Sequence, residues 1–356
     1  MVKPCLLEYT REALVDLMAE LGHKPFRAAQ LQEWVWKHRT TDFEQMSNLP
    51  PALRAQLAER FSLRPLSVVE VSNSSTGGTR KFLSRMADGG HLVESVIIPA
   101  AEGKGGSRSD RITLCVSSQV GCAFGCKFCA SGLLGLTRNL SASEILGQIL
   151  AAEEISGTRV DNLVFMGMGE PLANIDNLLS ALTLIMSPEG LNIGARHITI
   201  STSGNVPGLR RLAEFGKPLR LAVSLHGASD EVRSQVMPVN RKWPLGQLLP
   251  ALEEWNRTGK HKITFEYILI EGVNAMLPEA AKLARISRRL NAKVNLIPYN
   301  TVEGLPWVRP SESHCRAFAK ALSSAGIPVT MRYEKGHDIN AACGQLRLKR
   351  EGQGEG

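Results

Sequence analysis

From Arg111 onward the chain alternates short apolar runs with amphipathic helical patterns, and that alternation leaves few folds open to it. Strands are expected near 111–117, 162–167, 197–202, 219–225, 263–270 and 293–297, with helical segments between them. One helix should begin after Ser141, because Glu144 three residues on completes a capping box. Another covers 311–325 and stops at Gly326. Six βα repeats imply a parallel sheet curled into a full or partial barrel, with function at the C-terminal strand ends. A further strand near 328–333 precedes the last cysteine.

The part ahead of the alternation is of another kind. In residues 1–65, Leu14, Leu17, Met18 and Leu21 follow a helical rhythm closed by Gly22. A second helix should start near Pro25 and carry Trp34 and Trp36. After the break at Pro50-Pro51, Leu53, Leu57 and Phe61 mark a third. Residues 66–100 change to β-type runs punctuated by Gly77-Gly78 and Gly89-Gly90, a short meander linking the helical unit to the core. A Gly/Ser-rich loop opens the core of 101–348, and 349–356 reads as a disordered tail.

No apolar run nears the roughly 18 residues of a membrane-spanning helix, so no membrane association is expected. Glu8, Arg11, Glu12 and Asp16 in the first apolar stretch argue against a secretory signal. With 42 Lys and Arg against 34 acidic residues the net charge is +8. That excess favours a polyanionic partner, although many basic proteins bind no nucleic acid. Arg27, Lys37, Arg39, Arg54, Lys104 and Arg108 are basic residues suited to phosphates, or equally to a solvated surface. Seven cysteines, an odd number with three inside eight residues, do not make an extracellular disulfide framework. A reducing, cytoplasmic setting is expected, where any disulfide is transient and catalytic.

The three clustered cysteines are Cys122, Cys126 and Cys129, in a C-x₃-C-x₂-C loop directly after the first core strand. Thiolates so close can converge on one soft metal centre. Structural zinc wants a fourth ligand, and a ferredoxin-type cluster four cysteines with other spacing. Three thiols leave one coordination position open, as a catalytic centre requires. An incomplete zinc knuckle is the competing reading.

This spacing, with Phe128 before the last cysteine and Met166-Gly-Met-Gly169-Glu170-Pro171 after the second strand, resembles the radical S-adenosylmethionine (SAM) superfamily. The likeness narrows through Leu114-Cys-Val-Ser-Ser-Gln-Val-Gly-Cys122, Ser201-Thr-Ser-Gly204, Ser224-Leu-His226, Asn295-Leu-Ile-Pro-Tyr-Asn300 and Asp338-Ile-Asn-Ala-Ala-Cys-Gly-Gln345. These ordered motifs, with Phe26-Arg27 and Trp34 in the helical unit, are similar to the RlmN/Cfr family of RNA adenine methyltransferases.

The resemblance implies a radical SAM partial (βα)₆ barrel with a helical, RNA-binding accessory domain. It implies one 4Fe-4S cluster held by Cys122, Cys126 and Cys129, whose open iron takes SAM. Gly169, Glu170, Ser201, Ser224, Leu225, His226 and Asn300 are the implied SAM contacts. Adenine C2 and C8 are poor nucleophiles, so direct attack on a methyl sulfonium is excluded and a radical route is needed. In that family Cys343 takes a methyl from one SAM, and hydrogen abstraction by a second SAM's deoxyadenosyl radical turns it into a carbon radical that adds to adenine. Cys115 then acts as base and attacks Cys343 to form a disulfide, with Glu94 the implied proton acceptor. From the residues alone, Cys115 in a β-run also suits a small core hydrophobe, His226 a satisfied core histidine and Glu94 an exposed strand glutamate.

Gly169-Glu170-Pro171 and Leu296-Ile297-Pro298 favour C2 methylation, of 23S rRNA and also of the tRNA adenosine 3′ of the anticodon. C8 methylation is the alternative, and a non-catalytic iron–sulfur RNA-binding protein a third. A flavodoxin-type electron donor and a monomeric state are further expectations.

Overall fold

Local signals start the N-terminal helices where expected. The Thr10 hydroxyl accepts from the Ala13 amide at 3.3 Å and caps α1, Arg11–Glu20. Prolines sit ahead of α2, Phe26–Trp36, and in the first position of α3, Pro51–Arg60, where a missing N–H costs nothing. Leu14, Leu17, Met18, Leu31, Leu53 and Leu57 turn inward, within one core that runs on into the barrel. The computed structural model describes residues 3–100, 111–133, 135–258, 262–302, 304–332, 336–341 and 344–346. The expected loop opening the core, with Lys104 and Arg108, the tail 349–356 and Cys343 lie outside them.

The meander comprises β1 (Leu66–Asn73), β2 (Arg80–Met86) and β3 (Leu92–Pro99). A bulge between Val68 and Glu70 shifts the register of β1 against β2. Then come β4 (Ile112–Cys115), β5 (Gln119–Gly121), α4 (Ala130–Leu133) and β6 (Leu136–Asn139). The regular alternation follows: α5 (Ala142–Ser156), β7 (Asn162–Phe165), α6 (Ile175–Met186), β8 (Ile198–Thr202), α7 (Val206–Glu214) and β9 (Arg220–Ser224). It continues with α8 (Asp230–Val236), α9 (Leu245–Thr258), β10 (Thr264–Leu269), α10 (Leu277–Arg289), β11 (Lys293–Pro298), α11 (Glu312–Ser324) and β12 (Val329–Met331).

Among the described residues one sheet runs β1-β2-β3-β4-β7-β8-β9-β10-β11-β12. From β4 to β12 every pairing is parallel, which is the expected six-fold barrel sheet with one strand added. The meander does more than link. β3 lies antiparallel to β4, with Val96 opposite Cys115, so β1–β3 extend the barrel sheet at its first strand. The first core strand is shorter than expected and stops at Cys115, because Val116 to Ser118 turn away toward β5.

Candidate active site

The cysteine loop hangs from a two-stranded base, β5 against β6. Gly121 sits at φ +74°, and a Cβ there would lie 1.9 Å from the Gly135 carbonyl oxygen, so only glycine closes this base. The Cys122 N–H donates to that same oxygen at 2.8 Å. Further on, Lys127 N–H reaches the Val236 carbonyl at 2.9 Å, and the Trp307 indole N–H donates to Lys127 O at 2.8 Å. Phe128 meets the His226 ring edge-on, centroids 4.7 Å apart. The loop is therefore held in place by several elements, and its three thiols line one pocket.

The glycine-rich turn after β7 packs against the chain leaving β4. A Cβ on Gly169, at φ +97°, would lie 2.5 Å from Gln119 Cβ. The Met168 N–H donates to Ser117 Oγ at 2.8 Å, and the Glu170 N–H to Gln119 Oε1 at 2.8 Å. The Glu170 carboxylate, 2% exposed, accepts from the amides of Leu172 at 3.2 Å and Ser203 at 2.7 Å. Burial nevertheless raises its pKa, so a cationic partner in the pocket would be welcome.

His226 occupies the left-handed region at φ +53°, which turns it into the pocket at the end of β9. The Ile268 N–H donates to its Nδ1 at 3.0 Å, leaving Nε2–H as the ring's donor. Burial first, and the Arg233 charge second, push its pKa down to about 3, so the ring is neutral. Arg233 itself was not singled out by sequence reasoning, yet it is fully buried. Its guanidinium donates to the carbonyls of Ser203 at 2.5 Å and Leu225 at 3.1 Å, and to Asn240 Oδ1 at 2.7 Å. It thereby ties the ends of β8 and β9 together. An arginine one turn into a helix carries no sequence signal for such a task.

The pocket brings together Cys122, Cys126 and Cys129 with Gly169, Glu170, Ser201, Ser224 and His226. It does not include Leu225 or Asn300. The Leu225 side chain is in the core and its N–H donates to Glu266 O at 3.0 Å, while Asn300 is buried just past β11. Glu266, missed in the sequence, does line the pocket. Its Oε1 accepts from Asn295 at 2.9 Å, and its Oε2 stands 4.0 Å from Arg332. Cys115 and Glu94 lie beside the pocket lining on neighbouring strands. Both are buried, so Glu94 is not an exposed strand glutamate, and Lys81 Nζ reaches its Oε1 at 2.7 Å.

The donor set suits a cluster and its sulfonium ligand. Burial, with neighbouring negative groups added, pushes the Cys122 thiol up to about 12 and Cys126 higher still, and bound iron reverses that by holding thiolates. Among the described residues no group of three His, Cys, Asp or Glu side chains is arranged to hold a single metal ion. A cluster asks for thiols around a body rather than a point. Gly344 forms part of the same wall, its carbonyl accepting from the Ala130 N–H at 2.8 Å.

A partial barrel with three thiols and a buried carboxylate at its strand ends defines a radical SAM enzyme, one that uses a 4Fe-4S cluster and SAM. Residues 116–284 match the radical SAM superfamily, and residues 5–63 match the ribosomal RNA large subunit methyltransferase N-terminal domain. A probable dual-specificity RNA methyltransferase RlmN of Akkermansia muciniphila is 63% identical over 353 residues, 99% of this chain and 98% of that protein. A similarly named protein of Opitutus terrae, RlmN 3, is 49% identical, covering 98% and 96%. The crystal structure of a radical SAM methyltransferase from Sphaerobacter thermophilus superposes with a TM-score of 0.90 at 42% identity, over 97% of this chain and 99% of that one. The chain belongs to the RlmN family of methyltransferases.

Proposed function

We propose that this enzyme methylates C2 of an adenosine in 23S rRNA, and of the tRNA adenosine 3′ of the anticodon, through a methyl group carried on Cys343. The observation that carries the reading is the pocket wall, where Gly344, the residue after Cys343, stands with the three cluster thiols. When bound, the cluster and SAM supply a transferable methyl and, in a separate event, one-electron cleavage of the sulfonium. The chain's own residues do the rest. Cys122, Cys126 and Cys129 hold the cluster, and Glu170 accepts hydrogen bonds from the SAM ammonium. His226, neutral with Nε2–H as donor, offers a hydrogen bond without a competing charge, and Ser201 and Ser224 supply hydroxyls at the strand ends. The SAM contacts of Leu225 and Asn300 would be to backbone or at the pocket's margin.

Cys343 acts as a thiolate that displaces the methyl from sulfur, then as the link through which its methylene joins adenine. Cys115 removes the proton at the adenine carbon, with Glu94 as alternative acceptor, and attacks Cys343 sulfur. The carbon–sulfur bond breaks as the disulfide forms, and an external dithiol reduces it. The relatives bear the name of the C2 branch, which favours C2 over C8. RNA as partner is supported by the relatives' names. A flavodoxin-type electron donor, a cytoplasmic location and a monomeric state complete the proposal. Among the described residues no helix is long and apolar enough to cross a membrane.

The test is the division of labour between the two thiols. Cys115→Ala is expected to accumulate a protein–RNA adduct that survives denaturation but not ribonuclease. Cys343→Ala, and the double variant, should form none. Normal turnover by Cys115→Ala, or an adduct in the double variant, would overturn the mechanism, and mass analysis of the methylated adenosine separates C2 from C8.

A further inference from the structure

The C-terminal segment is fastened on both sides of Cys343. Upstream, Asp338 in the single turn His337–Ile339 receives three hydrogen bonds. Ser74 Oγ donates to its Oδ1 at 2.7 Å, and the Ser75 N–H and Oγ donate to its Oδ2 at 2.7 and 2.9 Å. Both serines lie in the β1–β2 turn, which the Ser74 N–H closes on Thr79 O at 2.8 Å. Gly336, at φ +69°, lies so near that a Cβ there would stand 3.0 Å from the Thr79 methyl. Downstream, Ala130 N–H donates to Gly344 O at 2.8 Å and Ser131 Oγ to Leu346 O at 2.8 Å, both from α4 directly after Cys129. Gln345 Nε2 adds a bond to Thr301 O at 3.1 Å.

We propose that Asp338 is a positioning residue for Cys343, its clasp on the β1–β2 turn fixing the upstream end of the segment that presents this thiol to the pocket. The inference rests on the reading of Cys343 as methyl acceptor. Displacement at a sulfonium methyl needs the attacking sulfur in line behind the carbon, so the rate follows the fraction of time spent in that geometry. A segment tied at one end samples far more conformations than one tied at both. Ala341 and Gly344, the described ends, are each held, and the downstream ties alone leave the upstream approach free. The donors also keep the carboxyl down at about 2, the Ser74 hydroxyl most and Ser75 next, so the clasp stays charged throughout the working range of pH.

The experiment compares full-length Asp338→Ala, Ser74→Ala/Ser75→Ala and Ser74→Thr/Ser75→Thr, each reconstituted anaerobically. Three quantities are read: iron content, SAM retained in equilibrium dialysis, and the rate at which the Cys343 peptide gains a methyl mass. Asp338→Ala should slow methyl gain by about tenfold, as loss of attack geometry requires. The double alanine variant should fall between, since the Ser75 N–H remains, and the threonine variant should recover the wild-type rate. Iron and SAM retention should match wild type in all three. Methyl gain at the wild-type rate in Asp338→Ala overturns the proposal. Parallel loss of iron and SAM also overturns it, showing a general role in the fold. A wild-type protein that never gains a methyl on Cys343 overturns the underlying reading instead, and the inference with it.

Discussion

Burial at the pocket keeps several ionisable side chains in the form that water would not choose. Cys126 is 8% exposed, and its thiol is raised by burial, then by Cys129 and Cys122 nearby. Thiols of this kind bind iron only by giving up protons, so each of the three is needed to offset the desolvation of the others. Cys126→Ala should therefore lose the visible absorbance of the cluster altogether rather than in part. Anaerobic reconstitution followed by iron and sulfide analysis checks this, and full cluster retention would remove Cys126 from the ligand set. These cysteines were legible because their spacing is local. Arg233 was not, since its value comes from carbonyls of Ser203 and Leu225 that only the folded barrel brings to it. Glu266 was hidden for a similar reason, its inward direction being set by the register Glu266 opposite Ser224 and Asn295.

Among the elements, α5 shows how a local signal and a tertiary one reinforce each other. The Ser141 hydroxyl accepts from the Glu144 N–H at 3.3 Å, and Glu144 Oε2 accepts from the Ser141 N–H at 2.9 Å. Arg138 on β6 then grips the same carboxylate with bonds of 2.7 and 2.8 Å, and Glu8 Oε1 accepts from Ser143 N–H at 2.9 Å. Ser141→Ala should cost about 1 kcal/mol, the usual worth of such a cap. A shift in denaturant midpoint at unchanged slope measures it, and no shift would mean that Arg138 holds Glu144 without the cap. The helix start could be read from four residues. The β5–β6 base could not, because three residues ending in glycine carry no alternation to recognise.

Taken whole, the molecule has no seam between its parts. The buried core runs from Cys5 and Leu14 through Leu66 and Val96 to the barrel strands without a break. Gly147 on α5 is so close to Pro65 that a Cβ would lie 2.6 Å from its ring. Ion pairs Arg39–Glu153 at 3.0 Å and Arg11–Glu189 at 2.6 Å bridge the helical unit to the barrel helices and loops. Thermal unfolding is accordingly expected as one transition, with calorimetric and van't Hoff enthalpies in agreement. A separate early melt of the helical unit would contradict the continuous core. The division into helices, meander and barrel was readable from changes of period. The joining of β3 to β4 was not, since strand pairing across residues 100–111 leaves no local trace.

The bulge in β1 matters to molecules that never enter the pocket. β1 is an outermost strand, and Val68, Val69 and Val71 on it are 39%, 40% and 38% exposed. A straight, apolar border of this kind invites a stranger's backbone to add itself, and then another. The extra residue between Val68 and Glu70 kinks the border and sets a carboxylate within it, so an incoming strand finds neither a flat template nor an uncharged one. Removing the kink would make crowding, rather than catalysis, the first thing this enzyme failed to survive.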